Sequence, residues 1–235
     1  MNRTGLRFEG RNADGRTVVV ALGVQPELQL VLRGIGFDDR DDSFVLEVQG
    51  DDKQSRSIVV NWERHGEAVV EQAVGLRDVP WADALRTFAR TIDGSGVWWF
   101  LVGSGGLAVR GFDVAPGDID VATDREGIEA LAKIFRDQLL TPVVDTRGWS
   151  VSELMTRLFL AARIDLVGNV RPAVDDPQPR PFGPEAASRI EMVEWDGFEI
   201  PVAPLDLQLV DELSRSRRSH AAQILRSMEM GGAIR

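Results

Sequence analysis

A chain of 235 residues with 43% hydrophobic and 27% charged side chains can bury a sizeable core as one large domain or two modest ones. It has no cysteine, which excludes disulfides, zinc–thiolate centres and cysteine nucleophiles. Its 37 acidic against 27 basic residues give a net charge of −10, which opposes sequence-independent nucleic-acid binding. No apolar stretch approaches the roughly 20 residues of a membrane span, and Met1–Gly5 leads into no signal-type segment, so a cytoplasmic protein without membrane contact is expected.

The first stretch alternates short β-branched runs with Gly/Asp turns. Thr17–Leu22 follows Asp14-Gly15, then come Leu28–Leu32, Ser43–Gln49 after the acidic loop Asp38–Asp42, and Ser57–Trp62 after Gly50-Asp51-Asp52. Read as strands, they predict a small antiparallel β-rich module over residues 1–79, with His65 in an exposed loop. Around Asp78-Val79-Pro80 the period changes. Trp81, Leu85, Phe88 and Ile92 recur at spacings of four, three and four, the pattern of an amphipathic helix that starts after a proline. A second unit over residues 80–235 is placed there.

Within it the predicted order is a strand at Val97–Val102, a short helix at Gly105–Arg110, a strand at Asp118–Thr123, a helix at about Arg125–Leu140, and a strand through Arg163–Val167. Five prolines in Arg171–Pro184 predict a loop. Glu191–Trp195 and Phe198–Pro201 flank Asp196-Gly197, a strong hairpin signal. Helices follow from about residue 204, the first running through Leu213 and the second near His220–Met228.

The chemistry is concentrated between residues 103 and 165. Gly103-Ser104-Gly105-Gly106 leaves a strand and opens a helix, where free backbone N–H groups can hold a phosphate and missing side chains permit close approach. A tight turn that merely needs positive φ is the plain alternative. Asp118 and Asp120 stand at i and i+2 and so face the same way, about 6.6 Å apart along a strand, with Ile119 and Val121 directed to the core. Like charges at roughly 4 Å repel by about 1 kcal/mol in water and about 4 kcal/mol where screening is partial, so a shared cation resolves the pair. A solvated pair after Pro116-Gly117 is the alternative. Asp165 sits in the apolar stretch Ile164-Asp165-Leu166-Val167, where a lone carboxylate costs several kcal/mol and therefore needs a partner. Asp145 is the fallback for that role.

From about Trp81 to Leu225 the chain resembles the nucleotidyltransferase (DNA polymerase β-like) superfamily. The residues that carry the resemblance are Leu101-Val102-Gly103-Ser104-Gly105-Gly106 followed by Asp118-Ile119-Asp120. Segment Phe198–Leu209 is similar to the bacterial and archaeal branch of toxin-type and antibiotic-modifying transferases. The resemblance implies an α/β (α+β) fold, a nucleotidyltransferase-type mixed sheet flanked by helices. It implies Asp118, Asp120 and Asp165 as catalytic and metal ligands for Mg²⁺ or Mn²⁺, and Gly103, Ser104 and Gly105 as nucleotide-binding. The implied reaction transfers a nucleoside monophosphate from an NTP, with ATP the expected donor, to an acceptor hydroxyl on a protein, a small molecule or RNA, and releases pyrophosphate. That branch has a lysine where Glu212 stands here and a Lys-Asp pair where Arg218-Ser219 stands. Arg217 or Arg218 is the expected substitute for the missing phosphate-facing charge.

Other readings fit less well. Gly103-x-Gly105-x-x-Ala108 suggests a dinucleotide site, but the helix after it is too short for a crossover. Ser104 lies outside a Gly-x-Ser-x-Gly elbow. Ala115-Pro116-Gly117 is not the apolar run expected before a sugar-nucleotide Asp-x-Asp. The rival from outside enzymology is a nucleotidyltransferase-fold binding or regulatory module, such as a toxin–antitoxin component, in which the N-terminal module docks a protein partner.

Overall fold

The computed structural model describes residues 5–13, 15–40, 43–49, 52–147, 152–170 and 183–232. The chain forms β1 (Arg7–Ala13), β2 (Arg16–Leu22), α1 (Gln29–Gly34), β3 (Asp38–Arg40), β4 (Ser43–Val48) and α2 (Asp52–Ala73). The four strands make an antiparallel sheet in the order β1-β2-β4-β3. Helix α2 packs against β1, β2 and β4, and also against parts of the second sheet.

Two N-terminal segments are helices, not the strands expected from sequence. Ser57–Trp62 lies inside α2 and Leu28–Leu32 runs into α1. Ile58-Val59-Val60 has the composition of a strand, yet α2 buries Ser55, Ile58, Trp62 and Val69, at spacings of three, four and seven, along with Asn61, Val70, Glu71 and Gln72. The tertiary partner decides: a helix lays this face on the sheet, overriding the β-branched propensity. His65 accordingly sits in α2, half-buried and stacked on Phe159 at 4.9 Å. Burial and neighbouring Arg64 lower its pKa.

The second sheet follows. Its elements are α3 (Trp81–Ile92), β5 (Trp99–Val102), α4 (Gly103–Val109), β6 (Ile119–Thr123), α5 (Arg125–Ile134), β7 (Val144–Asp145), β8 (Ser152–Phe159), β9 (Arg163–Val170), α6 (Pro184–Ser188), β10 (Glu191–Trp195), β11 (Phe198–Val202), α7 (Leu205–Ser214) and α8 (Arg218–Gly232). The sheet is mixed and runs β10-β11-β5-β6-β9-β8-β7, with β11 parallel to β5, β6 parallel to β9 and the other neighbours antiparallel. The architecture is therefore α/β with one small antiparallel sheet and one mixed sheet. Asp196-Gly197 turns the β10–β11 hairpin as its sequence requires, with φ +52° and +80°. The helix expected over Arg125–Leu140 ends at Ile134, followed by a single turn at Arg136–Gln138. Of the proline-rich segment, 171–182 lies outside the described residues, while Pro184 opens α6.

The apolar core runs continuously from Phe8, Phe37 and Trp62 in the N-terminal part to Phe88, Phe135, Val121 and Leu166 around the second sheet. Phe100, Val102 and Ala122 belong to a smaller cluster with Ala186 and Ala203. Alternation along a strand sets these apart: Leu101, Val121 and Leu166 face one way, and Phe100, Val102, Asp120, Ala122 and Asp165 face the other.

Candidate active site

Register brings the acids together. On β6, Asp120 pairs with Val102 of β5 on one side and with Asp165 of β9 on the other, and Asp165 in turn pairs with Arg157 of β8. A single row across four strands thus reads Val102, Asp120, Asp165, Arg157. Asp118 stands in the bend just before β6. One carboxylate oxygen from each of Asp118, Asp120 and Asp165 lies within 4.8 Å of the others. Asp145, the fallback, is exposed at the end of β7, where its Oδ1 accepts the Arg147 N–H at 2.8 Å.

Gly103 closes the other side of this row. Its φ is +63°, and a Cβ built there would come 2.8 Å from Asp120 Oδ2. The turn from β5 into α4 is therefore left-handed and pressed against the acid, which only glycine allows without strain. Ser104 and Gly105 follow in the first turn of α4. Gly103→Ala is expected to lower stability by about 1–2 kcal/mol through its backbone alone. Urea denaturation checks this, and an unchanged midpoint would contradict it.

Two arginines, missed in the sequence, compensate the acids. Arg163 lies on β9 two residues before Asp165, hence on the same face. Its guanidinium hydrogen-bonds Asp118, and its Nε approaches Asp165 Oδ1 at 3.0 Å. That 3.0 Å contact is an ion pair without an aligned hydrogen bond, because both atoms are buried and neither has a hydrogen-bond partner. Arg157 Nε donates to Asp165 Oδ2 at 3.2 Å. Burial works to lower the Arg163 pKa, but the charges of Asp165 and Asp118 outweigh it and the pKa is raised. The i−2 position of Arg163 was a readable signal; Arg157 needed the β8–β9 register.

Asp120 receives less help. Desolvation first, then the charges of Asp118 and Asp165, push its pKa up to about 7, although Arg163 and Arg215 act in the opposite direction. A carboxylate cluster short of positive charge, with one buried oxygen accepting no hydrogen bond, has the donor set of a hard divalent cation site.

Arg217 Nη1 is 3.5 Å from Glu212 Oε1, and Arg218 is exposed at the start of α8. Glu212 is buried and is also met by His220 Nδ1 at 3.0 Å. Of the C-terminal arginines, the one whose charge acts on Asp120 is Arg215, at the end of α7, held by Asp211 with its Nε 3.1 Å from Oδ1 and 3.0 Å from Oδ2. The sequence reading missed it; the spacing Asp211–Arg215, one helical turn, is a signal that could have marked it.

The chain is similar to nucleotidyltransferases of solved structure. One is a candidate nucleotidyltransferase from Thermotoga maritima, 23% identical over 62% of this chain and 91% of that one, with a TM-score of 0.49. The lincosamide antibiotic adenylyltransferase LnuA, solved with lincomycin bound, is 14% identical over 63% of this chain and 98% of its own, with a TM-score of 0.44. The antibiotic-resistance factor ANT(2'')-Ia is 12% identical over 62% and 82%, with a TM-score of 0.42. No family model matches the sequence, and no curated protein is recognisably similar to it. Each likeness covers less than two thirds of this chain.

Proposed function

We propose that the protein is a nucleotidyltransferase that moves a nucleoside monophosphate from an NTP, ATP in the first instance, to an acceptor hydroxyl. The observation that carries this reading is the convergence of Asp118, Asp120 and Asp165 within 4.8 Å beside the Gly103 turn. Asp118 and Asp120 would hold Mg²⁺ or Mn²⁺, with Asp165 as the third ligand, and the ion would neutralise charge on the triphosphate. The backbone at Gly103, Ser104 and Gly105 would receive a phosphate. Asp165 Oδ1, which accepts no hydrogen bond, takes the acceptor proton as the hydroxyl oxygen attacks the α-phosphorus. The bond from that phosphorus to the bridging oxygen breaks and pyrophosphate leaves with the electron pair. Orientation and charge neutralisation do most of the work.

In this reading residues 80–235 form the transferase unit and residues 1–79 a module that carries none of the three acids and is free to meet a protein partner. The net charge of −10 favours a cationic small molecule or a protein over RNA as acceptor. No helix among the described residues is long and apolar enough to cross a membrane. The test is incubation with each α-labelled NTP and cell extract, followed by separation into RNA, protein and metabolite fractions. Label in one fraction, lost in Asp118→Ala, supports the transferase; no incorporation with any NTP contradicts it.

One observation favours a second reading, a catalytically weak or inactive nucleotidyltransferase-fold binding or regulatory module, for example a toxin–antitoxin component. Glu212 is buried where a lysine was expected, and it engages Arg217. The two readings separate on thermal stability with Mg²⁺ and each NTP. A shift abolished by Asp118→Ala fits the enzyme, and no shift with any NTP fits the module.

A further inference from the structure

Arg157 links the N-terminal module to the acid row. Its Nε donates to Asp165 Oδ2 at 3.2 Å, and its Nη1 donates to the Ile35 carbonyl at 2.9 Å. The side chain is 15% exposed, so these bonds are largely sheltered from competing water. Its main chain is fixed as well: the Arg157 N–H donates to Thr141 Oγ1 at 2.9 Å, and its carbonyl accepts from Leu140 N–H at 2.7 Å.

The carbonyl that receives Arg157 is equally well defined. Ile35 is buried at the end of α1, and Gly36 after it has φ +103°, with a Cβ built there 3.5 Å from Arg157 Nη1. The corner therefore takes a left-handed conformation that directs one carbonyl at the guanidinium. A planar guanidinium carries donors in a fixed fork and can serve two acceptors at once, which a compact ammonium on a flexible stem does poorly. The two oxygens of Asp165 are thus treated differently. Oδ2 is secured from the module side, while Oδ1 lies 3.0 Å from Arg163 Nε with no aligned hydrogen bond.

We propose that Arg157 is a positioning residue through which the N-terminal module, by way of the Ile35 carbonyl, sets the plane of the Asp165 carboxylate for the divalent cation and the acceptor. Its catalytic consequence rests on the transferase reading; its effect on cation binding does not. Charge and geometry predict opposite signs. As a mere positive charge near the cluster, Arg157 would repel the cation and its removal would tighten binding. As a bracket on a ligating carboxylate, its loss weakens binding, typically 10–100-fold.

The test uses the full chain with Arg157→Lys, Arg157→Met and Gly36→Ala, each shown to be folded by its thermal transition. Mn²⁺ affinity is read by electron paramagnetic resonance of the free ion, and kcat and KM for the NTP by α-label transfer. Arg157→Lys, which keeps the charge, and Arg157→Met are both expected to weaken Mn²⁺ binding about tenfold or more. In both, kcat falls and KM for the NTP stays within about twofold. Gly36→Ala weakens Mn²⁺ binding in the parent and has no further effect in Arg157→Lys, the signature of a shared path. Wild-type affinity in Arg157→Lys, or tighter binding in Arg157→Met, overturns the proposal. Should wild type transfer no label while Mn²⁺ affinity still depends on Arg157 as stated, the transferase reading falls and the positioning role stands.

Discussion

Asp120→Asn is expected to lower transfer about a thousandfold or more while making the metal-free protein more stable above neutral pH. The loss follows from position. Asp120 is the middle of the row, pairing with Val102 on one strand and Asp165 on the next, with Gly103 pressed against its Oδ2. An amide there keeps the shape and gives up the anionic oxygen on which charge neutralisation depends. The gain in stability follows from the pKa. In the unfolded chain Asp120 ionises near 3.8, and in the metal-free fold only at about 7. Between those values the native state holds a proton that the unfolded state has released, so this residue's contribution to stability falls as pH rises. The difference in unfolding free energy between Asp120→Asn and wild type should be small below about pH 4, grow through the interval and level off above about pH 7. Urea denaturation in a chelating buffer measures it. A difference that does not vary with pH would contradict the raised pKa, and restored transfer in the variant would contradict the role.

Trp62→Ala is expected to cost about 3–5 kcal/mol, a large share of the roughly 5–15 kcal/mol typical of a domain. The ring is fully buried, with Phe37 at 4.9 Å edge-on and Phe8 at 5.1 Å, and its Nε1 donates to the Leu140 carbonyl at 2.6 Å. Neighbouring Asn61 donates to the carbonyls of Asp137 and Leu139 at 3.0 and 2.8 Å. Helix α2 therefore clamps the very segment, 139–141, whose Leu140 and Thr141 hold the main chain of Arg157. Truncation would empty a large cavity and remove the indole donor from Leu140, loosening both the core and the support of Asp165. Denaturant unfolding followed by tryptophan fluorescence and by circular dichroism checks the magnitude. A loss below about 1.5 kcal/mol would show that the interface relaxes around the gap.

The features legible in the sequence are those whose physics is local. The Gly103-Ser104 turn, the Asp196-Gly197 hairpin and the Trp81–Ile92 period each depend on a few neighbouring residues, and Asp165 stood out because a carboxylate in an apolar strand needs a partner. Asp118 and Asp120 were readable as a pair for the same reason. What misled was composition without period: Ile58-Val59-Val60 has strand propensity, but α2 is settled by the distant sheet it covers. The compensating charges were hidden in a different way. Arg217 and Arg218 were the expected cations and Glu212 engages the first, whereas Arg163 lies two residues before Asp165 on β9 and Arg157 reaches Asp165 only through the β8–β9 register. The contact between Arg157 and Ile35 joins residues 122 apart in sequence, and no spacing announces it.

Crystals soaked with Mn²⁺ and a non-hydrolysable ATP analogue, measured at a wavelength where manganese scatters anomalously, test the central claim most directly. The account predicts an anomalous peak ligated by carboxylate oxygens of Asp118, Asp120 and Asp165, with triphosphate oxygens completing the shell near the Gly103 turn. A peak elsewhere, or an analogue bound with Arg163 still bridging Asp118 and Asp165 and no ion among the acids, would contradict it.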